Sequence, residues 1–326
     1  MKTVVTGSSG HIGANLIRAL IAKGREVRML QHRNRQAFKG LDVDIVEGNT
    51  CDLYSLLKAF KGVDVVYHLA GYISLKMNER KKCQSINVDG TRNVVEACLR
   101  NGVSKLIHFS SIHALEQEPL DRPVDETRPL VTSKGHPPYD ISKASGEREV
   151  LKGIDKGLNA LIINPTGVIG PYDYYPSHFG EVLISLACGK FPALINGGFD
   201  WVDARDVAYG AMRAEEVASM GSKYLLSGHW ASMPELAFML KEIFEIDVPR
   251  FICPLWLAKL GAPMATRLSQ FSGKRPLFTK VSLMALRGNK NVSHGKASAE
   301  LGYHPRPLKE TIGDTITWFK SIGKIH

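Results

Sequence analysis

A chain of 326 residues, 44% hydrophobic and 23% charged, has the size of one large α/β domain or of a main domain carrying a smaller lobe. Its net charge of +10 is dispersed in small clusters with no aromatic RNA-binding motif or helix-turn-helix pattern, which argues against a nucleic-acid partner. Five scattered cysteines, odd in number and with no C-x-x-C, argue for neither a disulfide framework nor a zinc site and fit a reducing cytoplasm. The N-terminus offers no apolar run for a secretory signal.

In chain order, Lys2 to Thr6 is a β-branched run that predicts a strand, and it leads at once into TGSSGHIG. A helix pattern covers His11 to Lys23 and stops at Gly24. Strands follow near Glu26–Leu30 and Val43–Glu47, then a helix over Asp52–Phe60 and a strand over Asp64–His68. A long helix is predicted from about Cys83 to Asn101, then a strand from Lys105 into Ser110. A helix opens near Tyr139, and a strand spans Ala160–Asn164. Strands alternating with helices of this length imply βαβ units and a parallel sheet, hence a doubly wound Rossmann fold of the α/β class.

Beyond Pro165 the rhythm changes. PTGVIGPYDYYPSHFG precedes a helix, FDWVDARDVA and KYLLSG bring back strands, and the chain after Met233 is mostly helical. The expected division is a nucleotide-binding domain over 1–165, with returning elements at about 191–228. A smaller, mostly helical substrate lobe takes 166–190 and 229–326. The apolar stretch FICPLWLAKLGAPMA, from Phe251, is too short and too interrupted to span a bilayer. It reads as a lobe helix with Trp256 in the core, as Trp201 is expected to be, the alternatives being a substrate cap or a membrane-contacting patch.

Three features carry chemistry. Gly7, Gly10 and Gly13 stand at the first strand-to-helix turn, where glycines admit a pyrophosphate to the backbone and a helix N-terminus favours its charge. The turn, with Ser9, His11 and Ile12, is therefore a candidate dinucleotide site. At the end of the second strand the acid that would hold a ribose 2′-hydroxyl is missing. Gln31 stands there, followed by His32, Arg33 and Arg35, which points to a 2′-phosphate and so to NADP, with NAD the alternative. Third, PPYDISKASGE places Tyr139 four residues before Lys143, one turn apart on a helix face. A fixed cation there is expected to lower the tyrosine pKa and make the pair an acid/base.

These motifs, together with HLAG at 68–71, INVDGTRNVVEAC, HFSSIHA, and NPTGVIGP at 164–171, resemble the extended short-chain dehydrogenase/reductases of the NAD(P)-dependent epimerase/dehydratase superfamily. The likeness is nearest to the dihydroflavonol-4-reductase and 3β-hydroxysteroid dehydrogenase branch and covers essentially the whole chain. It implies Tyr139 as general acid in reduction and base in oxidation, and Lys143 as the group that tunes Tyr139 and meets the nicotinamide ribose. Ser111 would orient the carbonyl, with Ser110 structural. Asn87 would hold a water relay, or be a helix-facing polar residue.

Leu69, Ala70 and Gly71 would line the nicotinamide ribose, and Pro165 and Val168 would flank its ring. Asn49 and Thr50 stand where an acid commonly contacts adenine, which puts that contact in doubt. His113, Tyr72 and Phe179 are candidate substrate contacts, and no metal is implied. The resemblance also implies a homodimer. The expected activity is NADPH-dependent reduction of a small hydrophobic or aromatic ketone or aldehyde, or the reverse oxidation. One alternative is an NAD-dependent nucleotide-sugar epimerase. Against it, Phe199 occupies the place of the arginine that meets the diphosphate in such epimerases, and the strand-two acid is absent. A non-enzymatic NADP sensor is the third reading, disfavoured because Ser111, Tyr139 and Lys143 are all present.

Overall fold

The computed structural model describes residues 1–31, 36–132, 135–249, 251–254, 256–257 and 280–325. In chain order its first strands are β1 (Lys2–Thr6), β2 (Glu26–Gln31), β3 (Asp44–Glu47), β4 (Val65–His68), β5 (Lys105–Phe109) and β6 (Ala160–Pro165). The later ones are β7 (Gly167–Ile169), β8 (Leu194–Ile195), β9 (Gly198–Asp203), β10 (Lys223–Leu226), β11 (His229–Ser232) and β12 (Ile252–Cys253). Seven of them make one sheet in the order β3-β2-β1-β4-β5-β6-β10, and every neighbouring pair is parallel. The order reverses between β1 and β4, and in open α/β sheets ligands bind outside the carboxyl ends of the strands at that point.

Helices cover both faces, which is why β4 and β6 are apolar over most of their length and buried along all of it, His68 and Asn164 at or near their carboxyl ends being buried polar residues. On one face lie α1 (His11–Ala22), α7 (Ala204–Val217) and a helix at Gly295–Leu301. Leu16, Ile17, Leu20, Val207 and Ala211 interleave there with Val5, Tyr67, Ile107 and Ile163. The other face carries α2 (Leu53–Ala59), α4 (Gly90–Asn101) and α5 (Pro138–Asp155), packed through Leu56, Val94, Cys98 and Val150. Each fully buried Leu, Ile or Val contributes ~1.5–3 kcal/mol over its exposed state, so these two cores hold the sheet's carboxyl edge rigid.

A separate core lies beyond the sheet. β11-β9-β7 form a three-stranded sheet and β12 pairs with β8. Against them pack α6 (His178–Ala187), α8 (Met233–Phe244) and the helix Leu308–Ser321, through Leu183, Leu236, Leu240, Ile312, Ile316 and Phe319. Ala297, Leu301 and Tyr303 belong instead to the α1/α7 core, so the chain returns to the main sheet before its last helix. Among the described residues no helix is long and apolar enough to cross a membrane.

Several local expectations need correction. The long helix begins earlier, at Arg80, as a short α3 (Arg80–Cys83). It passes through a π-helical stretch, Gln84–Asp89, before α4. α5 opens at Pro138 rather than Tyr139, because proline's fixed φ suits the first helical position, whose N–H has no partner in any case. It runs through Gly153 to Asp155, with Gly153 seated against Val95. Trp201 is buried as expected, its indole N–H donating to the Ala231 carbonyl at 3.0 Å. Trp256 is not a core residue: its side chain is 65% exposed, and Phe251, Ile252 and Leu257 beside it are exposed too.

Candidate active site

The glycine turn has a geometry that would admit a phosphate. β1 ends at Thr6, Gly7 takes φ +66°, and Gly10 caps α1 with its N–H on the Gly7 carbonyl at 3.0 Å. A Cβ on Gly13 would fall 2.5 Å from the Gly7 oxygen and 2.7 Å from the Ser8 oxygen, so only glycine lets α1 start this close to β1. No side chain caps the first turn of α1 and no acid stands in it, so its amides and its positive dipole end are left to an anion. The residues present fit a dinucleotide pyrophosphate. His11 and Asn15 serve a different purpose: His11 Nε2 lies 3.0 and 3.1 Å from the carbonyls of Gly170 and Pro171, and Asn15 donates to Pro171 at 2.9 Å. They tie α1 to the loop after β7. His32, Arg33 and Arg35, on which the 2′-phosphate expectation rests, lie outside the described residues.

Across the switch point a directed hydrogen-bond chain orders the β4 loop. Ala70 N–H donates to Thr6 Oγ1 (3.2 Å), Thr6 Oγ1 lies 2.8 Å from His68 Nδ1, and His68 Nε2 lies 3.0 Å from Thr91 Oγ1. The Thr91 hydroxyl spends its proton on the Asn87 carbonyl at 2.8 Å. His68 must therefore donate from Nε2, and in the neutral ring Nδ1 then accepts from the Thr6 hydroxyl. Burial, aided by the Lys143 charge, pushes His68 down to about 3 and keeps it in that form. Asn87 sits in the π-helical stretch. Its Oδ1 accepts from Tyr72 N (2.7 Å), and its Nδ2 donates to Tyr72 O (2.9 Å) and Ser142 Oγ (2.8 Å). The amide thus pins the loop carrying Leu69, Ala70 and Gly71. Thr50 receives Asn93 Nδ2 on its carbonyl at 2.9 Å, and Asn49 Oδ1 accepts from Cys51 N at 3.0 Å, which orders the loop before α2.

Ser111, Tyr139 and Lys143 converge at the carboxyl end of β5. Ser111 caps a short turn, its Oγ accepting from His113 N at 3.2 Å. Lys143 Nζ donates to the Phe109 carbonyl at 2.7 Å and reaches Gly71, where a Cβ would lie 3.9 Å from it. Burial brings Lys143 down to about 8, with Glu147 pulling the other way. Contrary to the expectation of a lowered tyrosine pKa, burial pushes the Tyr139 phenol up to about 12. The hydrogen bond with Ser111 only partly opposes this, and Asp140 adds to the rise. The spacing was legible in the sequence; the desolvation was not. A phenol held protonated is a proton donor at neutral pH, and Ser111 is its direct partner.

Around this centre the candidate substrate contacts divide. The His113 ring stands edge-on to Tyr139, centroids 5.9 Å apart, with Nδ1 3.5 Å from Asp140 Oδ1. Burial lowers its pKa and Asp140 more than restores it, leaving a net rise. Tyr72 is committed elsewhere: its hydroxyl donates to Glu79 Oε2 at 2.8 Å and Lys82 lies over its ring at 3.9 Å. Phe179, half-buried, packs edge-on against Phe199 (4.9 Å) and Trp201 (4.8 Å), beside Gly167. Pro165 ends β6 in register with Leu226, and Val168 pairs with Val202. Ser110 is buried, and its Oγ finds no partner among the described residues.

Reasoning from sequence missed a buried polar group beneath the triad. Glu147 is fully buried and accepts from Asn164 Nδ2 at 2.6 Å, and the same Nδ2 donates to the Ser111 carbonyl at 2.9 Å. The i, i+4 step from Tyr139 to Lys143 repeats once more to Glu147, and that was the available signal.

A parallel sheet with a switch point, a glycine turn beside it, and Ser111, Tyr139 and Lys143 gathered at the carboxyl end of β5 make up a nucleotide-binding α/β architecture. The model of the NAD dependent epimerase/dehydratase family matches residues 3–224, and the chain belongs to that family, the extended short-chain dehydrogenase/reductases. Members bind NAD(P) and act as oxidoreductases, epimerases or dehydratases. The chain is 31% identical to sterol demethylase protein B of Methylococcus capsulatus over 100% of both chains. It is 28% identical to a putative dihydroflavonol 4-reductase of Synechocystis, over 98% of this chain and 95% of that one. The crystal structure of gox2253 superposes with a TM-score of 0.87 at 32% identity, over 99% of both chains.

Proposed function

We propose that the protein is an NADPH-dependent carbonyl reductase and alcohol dehydrogenase for hydrophobic, ring-bearing ketones or aldehydes. The observation that carries this reading is the half-buried pair Phe179–Phe199 packed on Trp201, in the place where a sugar-nucleotide enzyme would hold an arginine for the diphosphate. An aromatic wall favours apolar rings and offers a diphosphate no countercharge. The 31% identity to a protein named for sterol demethylation and the 28% identity to one named as a dihydroflavonol reductase point to the same chemical class.

In this reading Ser111 orients the carbonyl oxygen and Tyr139 gives it a proton, the carbon being reduced to the alcohol. When bound, the nicotinamide supplies the hydride. The glycine turn from Gly7 to Gly13 would hold the pyrophosphate, Ala70, Gly71 and Lys143 the nicotinamide ribose, and Arg33 and Arg35 the 2′-phosphate. The Lys143 ammonium keeps a positive field beside the phenol as its proton leaves. The test is NADPH consumption with a panel of aromatic, aliphatic and steroid ketones, run beside NADH and UDP-sugars. Turnover of UDP-sugars with tightly retained NAD, and none of the ketones, would instead establish an epimerase.

With Lys143 at about 8 the ammonium is present below that pH and lost above it, so kcat/KM for reduction falls as pH rises through about 8. A pH profile flat to pH 10 would refute the role of Lys143. Replacing both Arg33 and Arg35 by serine is expected to raise KM for NADPH by about tenfold or more with NADH little changed, because only the former carries the phosphate they meet. Equal losses with both cofactors would refute the 2′-phosphate assignment.

A further inference from the structure

The catalytic lysine has one buried acid near it, and that acid has two other partners. Glu147 lies one turn beyond Lys143 on α5, is fully buried, and raises the lysine against the pull of burial. One carboxylate oxygen accepts from Asn164 of β6 at 2.6 Å, and the other faces Lys223 Nζ of β10 at 2.8 Å. Asn164 Nδ2 also donates to the Ser111 carbonyl. One carboxylate therefore links α5, β6 and β10 directly beneath Ser111 and Lys143.

We propose that Glu147 is a positioning residue for this site: through Asn164 it fixes the Ser111 backbone, and from one turn along α5 it offers its carboxylate to Lys143 in competition with Lys223. The inference rests on the reductase reading only for the role of Ser111 and Lys143, not for the link itself. A buried carboxylate is costly unless paired; here Lys223 and one amide meet it, and Lys143 stands one helical turn away on α5. The other titratable groups facing Lys143 do not supply an anion. His68 on β4 and His108 on β5 are buried, lie 5.3 Å apart and are both held neutral, and Tyr139 on α5 stays protonated. Glu147, one turn along α5, is the carboxylate whose charge raises Lys143. Lys223, on an edge strand and 18% exposed at its side chain, competes for it.

The arrangement gives substitutions of opposite sign. Glu147→Gln keeps an acceptor for Asn164 but removes the charge, and is expected to lower the Lys143 midpoint by about one pH unit. Lys223→Gln removes the competing cation and is expected to raise it. Asn164→Ala should leave the midpoint alone and lower kcat by about ten- to hundredfold with the NADPH dissociation constant little changed, since only Ser111 placement is lost.

The midpoint is read by NMR of the Lys143 13Cε resonance, assigned by its loss in Lys143→Met. The titration needs no substrate, so it reports on Glu147 even if no ketone is turned over; absence of turnover bears on the reductase reading alone. A Glu147→Gln midpoint equal to wild type overturns the proposal. Should that variant fail to fold by circular dichroism, Lys223→Gln decides, an upward shift supporting the link and an unchanged midpoint refuting it. A loss of kcat in Asn164→Ala accompanied by a shifted Lys143 midpoint would likewise refute the division of roles.

Discussion

Replacing Tyr139 by phenylalanine is expected to lower kcat by about 10²–10⁴-fold while leaving NADPH affinity and thermal stability near wild type, because a positioned general acid supplies rate in that range. The substitution removes one oxygen from a half-buried ring on a helix whose packing runs through Val150 and Ala144, so the fold has little to lose. The oxygen lost is the one that hydrogen-bonds Ser111, and it carries the proton. With burial pushing the phenol to about 12, the acid is fully protonated at neutral pH, which suits reduction. In the oxidative direction the phenolate is the active form, so that rate should climb with pH until Lys143 loses its charge near about 8. The variant is measured by steady-state kinetics, by fluorescence titration with NADPH and by thermal melting. A kcat within about tenfold of wild type would mean another group donates the proton. His113, paired with Asp140 and set edge-on to the ring, is the neighbour that would then be implicated.

How much of this was legible in the residues follows from the range of each interaction. The sheet was legible because a parallel sheet covered on both faces imposes strands rich in β-branched and apolar residues, and KTVVT, VVYH and ALIINP are mostly such residues, with polar ones at or near their ends. The glycine turn and the Tyr139–Lys143 register were legible because both are local, set within eight residues of chain. What failed was non-local. Spacing puts a cation near the phenol, but the sign of the pKa shift is decided by desolvation, which depends on what the fold lays over the site. Glu147 draws its meaning from Asn164, 17 residues on, and from Lys223 on a strand joined to the sheet much later. The π-helical stretch that aims Asn87 at Tyr72 has no periodicity of its own to betray it. Trp256 read as core because it is aromatic in an apolar run, yet hydrophobic type alone does not oblige burial.

Gly7→Ala is the substitution expected to cost most in cofactor binding. Its φ of +66° already disfavours a side chain, but the space around it matters more. A methyl there would lie 2.5 Å from Ala70 N, 2.6 Å from the Leu69 carbonyl carbon and 2.8 Å from Ala70 Cα, all backbone atoms that cannot swing aside. The same segment is anchored to β1 twice, by Leu69 N on the Thr6 carbonyl (3.2 Å) and Ala70 N on Thr6 Oγ1 (3.2 Å). Relief requires the β1 and β4 loops to part, which breaks the Thr6–His68–Thr91 chain and displaces Ala70 and Gly71, the residues proposed to meet the ribose. Strain and overpacking together predict a stability loss of about 2–4 kcal/mol. Moving the loops proposed to meet the pyrophosphate and the ribose is expected to weaken NADPH binding by about a hundredfold or more. Gly62→Ala is the control, since Gly62 has nearly the same φ (+67°) with nothing within 4 Å of the added carbon. It should lose only the conformational share, about 1 kcal/mol, and bind NADPH normally. If Gly7→Ala proves no worse than Gly62→Ala in melting and in NADPH titration, backbone contact between the two loops is not what shapes the cradle. If it is far worse in both, the close approach of β1 and β4 at the switch point is the structural condition for holding the cofactor.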